Sequence, residues 1–134
     1  MATMKRRQQG WMAVLLFAAI AMGGFGSNAA ERVSLGESSR SATFSERLGD
    51  GHEYVLHARR GEVLTVSVDG PAGIYFNVLP PNGEDTLANS SVTGDNRWSD
   101  TVRHDGDYTV RVYQARAATH RGRDPAFTIT LALR

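Results

Sequence analysis

From Glu31 on, apolar side chains recur at every second position in segments bounded by Gly, Asp, Asn and Pro clusters. That spacing suits only a backbone whose successive side chains alternate between two faces. Tyr54, Leu56 and Ala58 fall on one face of a segment, as do Leu64, Val66 and Val68, then Ile74, Phe76 and Val78. Tyr108, Val110 and Val112 repeat the pattern, and Phe127, Ile129, Leu131 and Leu133 close it. Weaker strands are expected around Ala42 to Leu48, Thr86 to Val92 and Arg97 to Arg103. Arg60-Gly61, Asp69-Gly70-Pro71, Asn82-Gly83, Gly94-Asp95-Asn96 and Asp105-Gly106 punctuate the segments with residues that tolerate turn conformations. No 3.6-residue stripe and no internal repeat interrupts them. The expected fold is all-β: a single small antiparallel β-sandwich of about eight strands over residues 31–134.

Residues 1–30 follow a different rule. Lys5, Arg6 and Arg7 precede an apolar run from Trp11 to Met22 that ends in small residues. The run is shorter than the ~20 residues a membrane span needs, so the segment reads as a signal peptide cleaved after Ala29 or Ala30. Arg6-Arg7 is followed by Gln8, Gln9 and Gly10 rather than an apolar pattern, which favours the ordinary export route. The expected location is the periplasm or the exterior, with no membrane association after cleavage.

Removing Lys5, Arg6 and Arg7 from the 15 cations leaves 12 against 14 acids, a net charge of −2. That balance does not support nucleic acid as a partner. The chain has no cysteine, so neither disulfides nor a lipidated cysteine anchor is available, and the hydrophobic core must hold the fold alone.

Catalytic motifs are missing from the pattern. There is no Gly-x-Ser-x-Gly elbow, no phosphate-cradling glycine loop and no cysteine nucleophile. His52, His57, His104 and His120 lack the spacing of a zinc site, and His52 and His57 should point to opposite faces of one strand. His104-Asp105-Gly106-Asp107-Tyr108 reads as a hairpin turn rather than a calcium loop, and Glu84-Asp85 as solvated loop charge. The expectation is a binding protein with no cofactor, no metal and no enzymatic activity.

One segment stands apart. Between the Tyr108 and Phe127 strands lies a non-strand stretch from Ala115 to Pro125, where a turn of about two residues would join a hairpin. Arg111 and Tyr113 should occupy the outer face of the preceding strand, with Gln114 at its end. Arg116, His120, Arg121 and Arg123 follow, with no acid between Asp107 and Asp124. These residues form either a solvated rim or a partner-binding surface.

The run Gly106-Asp107-Tyr108-Thr109-Val110-Arg111-Val112-Tyr113-Gln114-Ala115-Arg116 resembles the periplasmic inhibitors of g-type (goose-type) lysozyme. The similarity continues to Leu133 and extends upstream through Tyr54 to Glu62 and, more loosely, Gly36 and Ser38-Ser39. It implies a two-layered antiparallel sandwich that blocks a lysozyme's substrate cleft, a protein partner and no catalysis. The family's best-matched inhibitory arginine falls on Arg116; a second falls on His120, with Arg121 beside it. A family tyrosine before the Tyr54 strand has no counterpart, because Gly49-Asp50-Gly51-His52 stands there. Two other readings remain: an accessory sandwich resembling pre-peptidase C-terminal domains, and a peptidoglycan- or carbohydrate-binding module using Trp98, Tyr75 and Tyr113. An edge strand could pair two copies, so monomer and dimer both stay open.

Overall fold

The computed structural model describes residues 30–36, 40–83, 85–115 and 124–134. The expected signal peptide through Ala29, Ser38-Ser39, Glu84, and Arg116, His120, Arg121 and Arg123 lie outside the described residues.

Each alternating segment is a strand. In chain order they are β1 (Glu31–Val33), β2 (Ser41–Arg47), β3 (His52–Ala58), β4 (Val63–Asp69), β5 (Ile74–Leu79), β6 (Ala88–Asn89), β7 (Arg97–Thr101), β8 (Gly106–Gln114) and β9 (Ala126–Leu133). A single helical turn, α1 (Ser90–Thr93), separates β6 from β7. One sheet has the order β1-β3-β8-β5-β6, the other β2-β9-β4-β7. Their inner faces meet through Tyr54, Leu56, Phe76, Val78, Tyr108, Val110 and Val112 on one side and Leu64, Val66, Phe127, Ile129 and Leu131 on the other, all buried. Closing this interior removes apolar surface from water at ~25 cal/mol per Å², which is what stabilises a chain without disulfides.

The all-β sandwich of about eight strands is borne out, with three differences of detail. Nine strands are described, because β1 escapes a periodicity search: only Val33 of its three residues is buried. β1 also runs parallel to β3, so the fold is not purely antiparallel. Arg32 fastens it by donating to Asp107 on β8 at 2.6 Å, and this hydrogen bond holds the Asp107 carboxyl below its ordinary range. Finally, the stretch Thr86 to Val92 is not one strand. The Asn89 side chain accepts from the Ser91 N–H at 3.1 Å, the buried Ser90 hydroxyl accepts from the Phe76 N–H at 2.7 Å, and Gly94, at φ 82°, closes the turn. Asn89 and Gly94 cap the helical turn while Ser90 ties it to β5, and together these bonds outcompete extended backbone here.

The connections differ most from a hairpin reading. Only β5 and β6 are consecutive strands that pair with each other; every other connection crosses from one sheet to the other. His104 to Tyr108 is therefore an arch between sheets, not a hairpin turn. Its Tyr108 hydroxyl donates to the His104 carbonyl at 2.7 Å, and the Asp105 carboxylate accepts from the Arg60 N–H at 2.6 Å, joining it to the neighbouring β3–β4 arch. Gly106 follows at φ 148°, and a Cβ there would lie 2.7 Å from that of Pro81, so only glycine fits.

The register makes Val110 inward and Thr109 outward. Val110→Asp should abolish the folded signal in circular dichroism, because an unpaired carboxylate in this interior costs about 4 kcal/mol or more. Thr109→Asp should retain that signal; equal loss in both variants would contradict the register.

Candidate functional site

The arches divide the sandwich into two ends. At one end β2 passes to β3, β4 to β5, and β8 to β9. The first two crossings use four residues each, Leu48 to Gly51 and Gly70 to Gly73, as do the β3–β4 and β7–β8 arches at the other end. The β8–β9 connection, Ala115 to Pro125, uses eleven. A two-residue hairpin was the wrong yardstick, because β8 and β9 belong to different sheets. Against a four-residue arch the connection is still seven residues longer than the crossing requires.

Both ends of this long loop are fastened. The Ala115 N–H donates to the Gly73 carbonyl at 2.7 Å, tying its entry to the β4–β5 arch. At its exit the Asp124 carboxylate accepts from the Gly49 N–H at 2.7 Å, Arg47 donates to the Asp124 carbonyl at 2.7 Å, and the Leu48 N–H donates to the Pro125 carbonyl at 2.9 Å. The described residues on either side, Ala115 and Asp124-Pro125, are thus tied to neighbouring arches.

The base beneath the exit is rigid as well. The buried Tyr54 hydroxyl donates to Glu46 at 2.5 Å; burial, then this bond, pushes the phenol far above its ordinary range, so it remains a donor. His52 lies 2.8 Å from the Arg47 carbonyl and packs its ring on Tyr54 and Phe127. It is therefore a half-buried histidine, with 26% of its side chain exposed. His57 faces outward beside Asp107, so the two histidines do lie on opposite faces. Among the described residues no group of three or more His, Cys, Asp or Glu could hold a metal ion.

Arg111 and Tyr113 lie on the outer face of β8, and Gln114 ends the strand on the side of its inward residues. Arg111 is exposed, yet its Nε donates to Glu53 on β3 at 2.7 Å, so it is not a free cation. Tyr113 lies beside Tyr75, with ring centroids 6.1 Å apart, and its hydroxyl is 3.2 Å from the side-chain oxygens of both Asn77 and Asn89. Gln114 pairs with Ile74 across the ladder. The sequence alone assigns no structural role to Glu53, Asn77, Asn89 or Asp124. Asn77 could have been found from its alternation with Phe76 and Val78; the other three depend on pairings that no local pattern encodes. Trp98 lies against the core at the opposite sheet's edge and does not join Tyr75 and Tyr113 in one platform.

No known family pattern and no curated protein sequence matches this chain. Solved structures do. PliG of Aeromonas hydrophila, a periplasmic lysozyme inhibitor of g-type lysozyme, superposes with a TM-score of 0.67 at 25% identity, over 78% of this chain and 96% of the inhibitor. PliG of Salmonella Typhimurium gives 0.61 at 20% identity over 77% and 96%. The pre-peptidase C-terminal domain of a Bacillus anthracis collagenase gives 0.54 at 17% identity over 79% and 95%, a likeness of fold alone. The resemblance to the g-type lysozyme inhibitors therefore holds at the level of the whole fold.

Asp124→Ala should free the Gly49 amide. Hydrogen exchange there is expected to accelerate by about tenfold, with global stability falling by no more than about 1.5 kcal/mol. Unchanged exchange at Gly49 would show that the loop's exit is not held by this carboxylate.

Proposed function

We propose that this protein is an exported, non-catalytic inhibitor of g-type lysozyme, which blocks the enzyme's acidic substrate cleft with basic side chains of the loop from Ala115 to Pro125. The observation that carries the reading is the similarity to the Aeromonas inhibitor, which spans 96% of that protein at 25% identity. The accessory-module reading has weaker support, because the collagenase domain is less similar by both TM-score and identity.

The chemistry follows from what a glycosidase cleft contains. Carboxylates there protonate the glycosidic oxygen and assist attack on the sugar. A guanidinium fork satisfies a carboxylate with two parallel hydrogen bonds, so an arginine entering the cleft competes with substrate without reacting. Arg116 is the principal anchor in this reading, one residue beyond the Ala115–Gly73 hydrogen bond. His120 and Arg121 add charge farther along, and Tyr113 and Gln114 form the rim. Arg111 is a lesser contributor, because Glu53 already neutralises it. The fastened loop ends reduce the entropy lost on binding, which favours affinity. Export by the signal peptide brings the inhibitor to the compartment where a lysozyme attacks the cell wall, and the solved inhibitors are themselves periplasmic.

The test is a cell-wall turbidity assay with g-, c- and i-type lysozymes. Wild type should inhibit the g-type enzyme selectively. Arg116→Ala should weaken binding by ~2–5 kcal/mol, mainly through faster dissociation. Arg123→Ala and Arg111→Ala should cost far less, and His120→Arg should strengthen inhibition, more so at low salt. Equal inhibition by every folded variant, or none by wild type, would contradict the proposal.

A further inference from the structure

The end of the sandwich opposite the long loop carries a second basic surface that inhibition does not use. An open groove of about 610 Å³ runs along the mouth between the two sheets, lined by Arg32, Arg40, Arg59, His57 and Glu62 over a floor that includes Val33 and Leu35. Its cations come from different elements: Arg32 from β1, His57 from β3, Arg59 from the β3–β4 arch, and Arg40 from the residue before β2. No local sequence pattern announces their convergence.

Among the described residues, Glu62 lines the groove and Asp107 lies beside it on β8, and both carboxylates are engaged. Asp107 accepts from Arg32 at 2.6 Å, with His57 at 3.3 Å. Glu62 pairs with Arg40 through one oxygen and accepts the Arg59 N–H through the other at 2.7 Å. The Arg40 carbonyl in turn accepts from the Leu133 N–H at 2.9 Å, fixing its backbone. These pairs hold the Arg32 and Arg40 guanidiniums in position while leaving each with further N–H groups. The Arg59 guanidinium has no carboxylate partner among the described residues. Three guanidiniums around one groove present more donors than a carboxylate's two oxygens can accept. A phosphomonoester offers three terminal oxygens and a double negative charge, and guanidinium forks match it.

We propose that this groove binds a small phosphomonoester, such as a sugar phosphate, at a site independent of the lysozyme-facing end. The groove is open and lies at a recess between sheet edges, which suits a soluble ligand with a compact organic part against Val33 and Leu35.

The experiment is an NMR titration of isotope-labelled protein with glucose 6-phosphate, with glucose and acetate at matched ionic strength as controls. Glucose 6-phosphate should give saturable shifts at the amides of Arg32, Val33, His57 and Arg59, with a Kd of about 1 mM or below. Arg59→Gln, which removes no side-chain bond described in the fold, should weaken binding by about fivefold or more. Arg97→Gln, on β7 away from the groove, should leave it unchanged. Sedimentation with phosphatidylcholine vesicles carrying phosphatidic acid should leave the protein in solution. Absence of saturation, equal shifts with acetate, unaltered affinity in Arg59→Gln, or vesicle binding without glucose 6-phosphate binding would each overturn the proposal.

Discussion

Neither sheet exists without the last two strands. β8 is flanked by β3 and β5 in one layer, and β9 by β2 and β4 in the other. Their inward residues, Tyr108, Val110 and Val112 against Phe127, Ile129 and Leu131, form the interior against which the remaining strands pack. Most ladders join residues far apart in the chain, as in Ser41 with Ala132 and Glu53 with Arg111. Such pairing loses chain entropy before its contacts reward it, so folding should be slow and cooperative for a domain of this size.

That arrangement also separates the molecule's two ends. Because nearly every strand is followed by a crossing to the other sheet, the connections collect at the ends of the sandwich instead of along its edges. One end holds the long β8–β9 loop, fastened by Gly73 at its entry and by Gly49 and Leu48 at its exit. The other gathers arginines around a groove between the sheets. Residues 31–134 carry a slight negative balance, yet arginines from three different elements line one groove. Binding chemistry here depends on where topology brings charges together, not on their sum.

Much of this was legible in the residues. Alternation identified the faces of β3, β4, β5, β8 and β9, because a half-buried strand must alternate and these segments contain little to obscure it. β1 was invisible, since three residues with one buried valine have no measurable period. The Asn89 to Gly94 turn was misread because Val92, 78% exposed, looked like a strand residue while the deciding signals were caps. Strand order was not accessible at all: turn residues mark where the chain reverses, but arches and hairpins use the same Gly, Asp and Asn. The excess length of the β8–β9 connection persists against the four-residue arches. Arg111's neutralisation by Glu53 required the β3–β8 register, which no spacing along the chain contains.

The central claim is that the loop end of the sandwich, and not its opposite end, meets a g-type lysozyme. The most direct measurement is the pattern of backbone amide shifts in labelled protein when the unlabelled enzyme is added. The account predicts perturbation at Gly49, Gly73, Tyr113, Gln114 and Ala115, with Arg59, Gly61 and Arg103 unaffected. Perturbation centred on Arg59, Gly61 and Arg103, or none anywhere with excess lysozyme, would contradict it.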